Sequence, residues 1–137
     1  MTERILMAAR ECLGTPFRHQ GRVPGVGLDC AGVAVHVARR LGLAVQDVSG
    51  YGPTPAHGQL EAALDRQPAL RRVEPVDRRP GDLLVLHFGG DPQHLALLTD
   101  AETIIHADES VGICCEHRLS RAWAARIVRV YRFTAGR

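Results

Sequence analysis

One cysteine and two histidines, well separated along the chain, have the side chains best suited to chemistry. Cys30 follows a glycine-rich stretch, while His94 and His106 stand in two later apolar segments. A thiol nucleophile needs a base within hydrogen-bond reach and a third polar group that orients the base. These residue types therefore predict nucleophilic chemistry by a thiol, provided that the fold brings the three side chains together.

The segment after Cys30 predicts a helix that carries this cysteine in its first turn. Apolar residues recur at helical spacing up to about Leu41, and Gly42 closes the helix. Asp29 precedes the first turn, where its carboxylate is suited to cap the free amides. The helix dipole favours a thiolate at Cys30, whereas the charge of Asp29 opposes it. We therefore expect a second cation close to Cys30, and a histidine fits that role.

The two histidines fall on neighbouring predicted strands. Segments 83–88, 94–99 and 103–107 are short and apolar, and turn residues separate them. His94 opens the second strand and His106 lies near the end of the third, across a predicted hairpin. Cross-strand Cβ atoms lie about 5 Å apart, so one imidazole can hydrogen-bond the other. This placement permits Cys30, His94 and His106 to lie in a line.

The remaining segments predict helices first and strands later. An α+β fold follows, with N-terminal helices packed on an antiparallel sheet in a single domain over residues 1–137. The other predicted elements are a helix over 2–13, a loop over 14–28, turns over 44–55, a weak helix over 58–65, turns over 75–80 and 89–92, a strand over 111–116, a short helix over 118–124 and a strand over 127–133.

Composition excludes several classes of function. Hydrophobic residues make up 45% and charged residues 23%, as in ordinary globular proteins. A net charge of +2 and 4% aromatic residues argue against nucleic-acid binding. The short apolar run at the N-terminus does not resemble a signal peptide, and no segment is long enough to span a bilayer. We expect synthesis in the cytoplasm without a leader, no membrane partner and no cofactor.

The four cysteines predict neither disulfides nor a metal site. They include the adjacent pair Cys114–Cys115 and show no CxxC spacing. A zinc site would have to combine Cys30, His94, His106 and Cys114, without the close ligand pairs typical of such sites. The other histidines are interpreted as surface or loop residues: His19, His36, His57, His87 and His117.

Five short motifs occur in an order that resembles the NlpC/P60 family of cell-wall cysteine peptidases, which have a compact papain-like fold. They are LGTPFRHQG at 13–21, LDCAGV at 28–33, RPGDLL at 79–84, HLALL at 94–98 and IHA at 105–107. The resemblance is greatest to short versions carried by phages and gene-transfer agents. It covers residues 2–133 and implies a tail-tip component in the virion, with tail or hub proteins as partners.

The resemblance also implies roles for individual residues. Cys30 becomes the nucleophile, His94 the general base and His106 the residue that orients it, in an endopeptidase cleaving γ-D-glutamyl-diaminopimelate or related bonds of peptidoglycan stem peptides. Asp29 can face the free amine of the substrate, a role that competes with capping. Phe17 replaces a tyrosine thought to bind the oxyanion, so His19 or Arg18 is a candidate substitute donor.

Two alternatives remain open at this stage. One is a catalytically weak or silent structural subunit of a tail tip, which the missing hydroxyl at Phe17 favours. The other keeps the papain-like scaffold but cleaves or transfers at a different bond, as amidases and acyltransferases do. Both alternatives keep the same fold, so the motifs do not separate them from the peptidase.

Overall fold

The structure is a computed structural model that describes residues 1–47, 58–88 and 91–135, with the main chain alone at 91–93. His57, most of the predicted turn at 44–55 and residues 89–90 of the turn predicted at 89–92 lie outside the described residues. Residues 91–92 belong instead to the strand Asp91–Leu98, so the predictions of a turn there and of His94 as the first residue of its strand are wrong. In the described part, no helix is both long and apolar enough to cross a membrane.

The described residues include four α-helices, close to their predicted positions: α1 (Thr2–Arg10), α2 (Cys30–Arg40), α3 (Gln59–Asp65) and α4 (Arg121–Ala124). The prediction of a first helix to residue 13 is wrong at its end. After Arg10 the chain tightens into turns, with the Cys12 amide donating to the Ala9 carbonyl at 3.0 Å. Gly14 then adopts a φ of +80°, which ends any helical continuation.

Six strands form one antiparallel sheet in the order β3-β8-β4-β5-β6-β7, as the sequence predicts for its later half. Their bounds are β3 (Leu70–Val73), β4 (Leu83–Phe88), β5 (Asp91–Leu98), β6 (Thr103–Asp108), β7 (Ile113–Arg118) and β8 (Ile127–Phe133). The edge strand β3 was not predicted. Its central residues Arg71 and Arg72 are exposed, so it lacks the apolar alternation of a half-buried strand.

A small hairpin interrupts the segment predicted as a plain loop. It pairs β1 (Arg22–Val23) with β2 (Gly27–Leu28), immediately before α2. A 3₁₀ turn at Pro75–Asp77 replaces part of the predicted turn region before β4. Both features shorten the connections that lead into the elements bearing Cys30 and the histidines.

The sheet separates two hydrophobic clusters. The first cluster joins the sheet to α1 and α2, and Val85, Leu95 and Leu97 belong to it. The second cluster covers the opposite face, where Leu86 and Ala96 pack with partly buried Trp123. Strand alternation produces this division, because successive side chains point to opposite faces. The prediction of N-terminal helices packed on an antiparallel sheet is confirmed.

Candidate active site

Cys30 begins α2, and the loop before it packs closely on the first turn. Asp29 caps the helix, since its Oδ1 accepts a 2.8 Å hydrogen bond from the Gly32 amide. A Cβ at Gly32 would lie 2.3 Å from the Gly21 carbonyl oxygen, so only glycine permits this approach. The predicted cap and helix start are confirmed, and the contact holds the loop against the cysteine.

The Asp29 carboxylate is buried and shared among several protein donors. It is 4% exposed and accepts from Arg22 Nη1 at 2.8 Å and from the Gln20 amide at 2.9 Å, in addition to Gly32. Arg22 in turn donates to Asp47 at 2.9 Å. Asp29 lines the cavity described below, and its role toward a substrate amine stays a prediction.

His94 and His106 contact each other as their hairpin placement predicted. His94 Nε2 lies 2.7 Å from His106 Nδ1, a hydrogen-bond distance. His94 stands on β5 and His106 on β6, which pair antiparallel. His106 is fully buried, whereas His94 is partly exposed. The pair therefore joins one accessible imidazole to one enclosed imidazole.

The histidines project from the face of the second cluster, and the cysteine packs against the first. The ring centroids of His106 and Trp123 lie 5.3 Å apart, and those of His94 and Phe88 lie 5.8 Å apart. The two sides meet at His94 and Leu95 in the middle of β5, where the Leu95 main chain makes a hydrogen bond to the Cys30 thiol. Cys30 and His94 line one cavity of about 960 Å³.

Burial favours the neutral form of both reactive partners. It raises the pKa of the Cys30 thiol to about 11, with the Asp29 charge adding to the effect. Burial likewise lowers the pKa of His94 to about 3 and that of His106 to about 4. Both shifts oppose the expected thiolate beside an imidazolium, which stays a prediction. The helix dipole and the amide hydrogen bonds do not offset the loss of water around the sulfur.

His117 is the residue that the sequence interpretation missed. It was expected at the surface, yet its Nε2 lies 2.7 Å from His106 Nε2, and its Nδ1 lies 3.0 Å from the Arg118 carbonyl oxygen. The predicted strand ended at residue 116, whereas β7 continues to Arg118. A longer strand would have placed positions 115 and 117 on one face, beside His106. We call His94, His106 and His117 the imidazole chain.

One group in the described part of the chain has the side chains of a metal site. Ligand atoms of His106, Cys115 and His117 lie within 4.8 Å of one another. However, two nitrogens bound to a tetrahedral zinc ion at its usual bond length lie about 3.3 Å apart. The 2.7 Å between His106 and His117 is instead a hydrogen-bond distance. Cys114, weighed as a ligand from the sequence, is buried in the first cluster.

The predicted substrate-side residues fall on the same cavity. Phe17 and His19 both line it. Phe17 is held by its amide, which donates to the Gly112 carbonyl at 2.8 Å. The stem of Arg18 instead lies over Gly27, and Arg18 is not among the cavity-lining residues of the described chain. Of the two candidate substitute donors, His19 has the better position.

The α+β fold, with a cysteine at a helix start and paired imidazoles on adjacent strands, is of the papain-like type. The NlpC/P60 family profile matches residues 14–132. The chain belongs to the NlpC/P60 family. A comparison of the sequence with curated proteins finds no match.

Solved structures share this fold at low sequence identity. An NLP/P60-family protein from Staphylococcus aureus, similar to a lipoprotein, gives a TM-score of 0.68 at 21% identity, covering 98% of this chain and 42% of its own. The peptidoglycan hydrolase RipB of Mycobacterium tuberculosis gives 0.68 at 20%, covering 96% and 63%. RipD of the same organism, a non-catalytic NlpC/p60 domain protein adapted to peptidoglycan binding, gives 0.62 at 17%, covering 96% and 95%. This chain thus spans less than two thirds of the first two proteins.

Proposed function

We propose that the protein is a peptidoglycan hydrolase, a cysteine endopeptidase that cleaves stem peptides at γ-D-glutamyl-diaminopimelate or related bonds. The observation that carries the proposal is the 2.7 Å contact between His94 and His106 beside a cavity that Cys30 also lines. Membership of a family that typically contains cysteine peptidases supports it, as does the fold shared with the peptidoglycan hydrolase RipB.

The neutral pair sets the order of events in this mechanism. His94 takes the proton of the Cys30 thiol as the sulfur attacks the scissile carbonyl carbon, and the charge moves to the carbonyl oxygen. The Cys30 backbone amide is a donor for that oxyanion. Collapse breaks the C–N bond, and His94 returns the proton to the leaving amine. Water then hydrolyses the thioester, with His94 again acting as base.

Digestion of defined muropeptides tests the proposal. We expect the wild type to release cleaved stem peptides, identified by mass spectrometry, and Cys30→Ala and His94→Ala to release none above background. His87→Ala serves as the matched control, because His87 is another partly buried strand histidine and does not line the cavity. Equal products from wild type and Cys30→Ala contradict the proposal. Products cut at another amide or ester bond favour the amidase or acyltransferase reading.

A second candidate is a non-catalytic peptidoglycan-binding domain, the role described for RipD. Phe17 favours this candidate, since it faces the cavity without a hydroxyl. Losing one oxyanion donor costs roughly 10²–10³ in rate in other enzymes. If the protein is a peptidase, Phe17→Tyr should raise kcat by up to about 10²-fold, and Phe17→Met should not. If the domain is non-catalytic, Phe17→Tyr gives no gain in kcat. Its Cys30→Ala variant then binds peptidoglycan as well as the wild type does.

The biological setting is also proposed, as a component of a phage or gene-transfer-agent tail tip that opens the wall locally. Its support is the sequence resemblance to short members of that type. Purified particles probed with antibody to this chain provide the test. We expect labelling at the tail tip, and labelling confined to the host cell wall contradicts the assignment.

A further inference from the structure

The imidazole chain is continuous and ends on a backbone carbonyl. His94 Nε2 to His106 Nδ1 and His106 Nε2 to His117 Nε2 are both 2.7 Å. His117 Nδ1 lies 3.0 Å from the Arg118 carbonyl oxygen. At such distances each contact places one hydrogen between two heteroatoms. The direction in which these hydrogens point determines the chemistry of His94.

The carbonyl fixes the first two hydrogens. A carbonyl oxygen only accepts, so His117 carries its hydrogen on Nδ1. A neutral imidazole has one donor and one acceptor nitrogen, which leaves His117 Nε2 as an acceptor. The hydrogen between His106 and His117 therefore belongs to His106 Nε2.

The same rule assigns the hydrogens of His106 and then of His94, which lines the cavity. With its hydrogen on Nε2, neutral His106 accepts at Nδ1, so His94 donates from Nε2. His94 Nδ1 then carries a lone pair, which is what a base for the Cys30 thiol requires. If the chain ran in the opposite direction, a hydrogen would occupy His94 Nδ1 and this base would be blocked.

We infer that His117 is a positioning residue that fixes the tautomer of His94 through His106, an inference that rests on the proposed thiol chemistry. Trp123 packs against two of these rings, with its ring centroid 4.9 Å from that of His117 and 5.3 Å from that of His106. Without His117, the partner left to His106 Nε2 among the described residues is the Cys115 sulfur at 3.8 Å. A thiol both donates and accepts weakly, so it does not impose a direction.

Two substitutions separate this role from simple packing. His117→Gln can place a carbonyl oxygen near the position of Nε2 and keep an acceptor for His106, whereas His117→Leu removes the acceptor. In ¹⁵N-histidine-labelled, chelator-treated protein, we expect long-range ¹H–¹⁵N spectra to show His94 with its hydrogen on Nε2 in wild type and His117→Gln. His117→Leu should show a mixture of tautomers, a kcat on muropeptides lower by about tenfold or more, and recovery in the glutamine variant.

The spectrum decides the inference separately from the activity. A wild-type His94 with its hydrogen on Nδ1, or an unchanged His94 tautomer in His117→Leu, overturns it even if every variant cleaves substrate. A wild type with the expected tautomers but no cleavage contradicts the proposed function and leaves the tautomer assignment intact. If His117→Leu does not fold, a wild-type spectrum with the hydrogen of His94 on Nδ1 still overturns the inference. A change of the His106 and His117 signals on chelation, which marks a bound metal in place of the hydrogen bond, also overturns it.

Discussion

The two sides of the cavity are held by opposite kinds of interaction. Around Cys30, charged groups bond directly: Asp29 is 2.8 Å from Arg22, which is 2.9 Å from Asp47. On the histidine side, hydrogen bonds between rings join the imidazole chain, Trp123 packs beside it, and the Asp108 carboxylate acts on His94 and His106 through its charge. Formal charge supports the loop that holds the nucleophile, while the base depends on burial and hydrogen-bond direction. Burial opposes the charged form of both partners, so it favours proton transfer that accompanies the attack.

Thiol alkylation gives the largest expected effect. Because burial raises the pKa of Cys30 to about 11, its thiolate fraction grows about tenfold per pH unit below that value. We expect iodoacetamide modification of Cys30, followed by peptide mapping, to accelerate roughly a thousandfold between pH 7 and pH 10. A plateau below pH 8 would instead reveal a resting ion pair and erase the contrast between the two sides.

Removing the charge at Asp29 tests the cysteine side. Asp29→Ala deletes the cap and leaves partly buried Arg22 and the Gln20 amide without this acceptor, so we expect a loss of about 3 kcal/mol in the free energy of unfolding. Asp29→Asn keeps a capping oxygen and should lose about 1 kcal/mol. Urea denaturation measures both values. Equal losses would mean that the charge, rather than the cap, dominates.

Acid should weaken the histidine side. Burial lowers the pKa of His94 to about 3 and that of His106 to about 4, below the unfolded value near 6.5. Between pH 6.5 and pH 4 the unfolded chain binds protons that the folded chain excludes. The free energy of unfolding therefore decreases as the pH is lowered. Each group contributes up to about 1.4 kcal/mol per pH unit. His106→Asn should reduce this slope, and a stability that is flat over the interval contradicts buried neutral imidazoles.

The sequence predicts the cysteine side better because its signals are local. Asp29 before an apolar helical period indicates both the cap and the start of α2, and both are confirmed. His94 and His106 were paired correctly because a short hairpin joins their strands. His117 was missed because its role depends on the end of β7 and on cross-strand contacts. The direction of the Cys30 pKa shift could not be predicted from the neighbouring sequence, because burial in the folded protein outweighs the helix dipole.

Strand β7 contacts both the cysteine side and the histidine side of the cavity. Its end carries His117, while the chain around its start bonds the segment before β1: the Gly112 carbonyl accepts from Phe17, and the Cys114 amide donates to Thr15, each at 2.8 Å. Displacement of this strand therefore moves Phe17, which lines the cavity, together with His117, the last residue of the imidazole chain. The width of the cavity is therefore coupled to the orientation of His94. A variant selected for a bulkier substrate would also change how His94 is aligned.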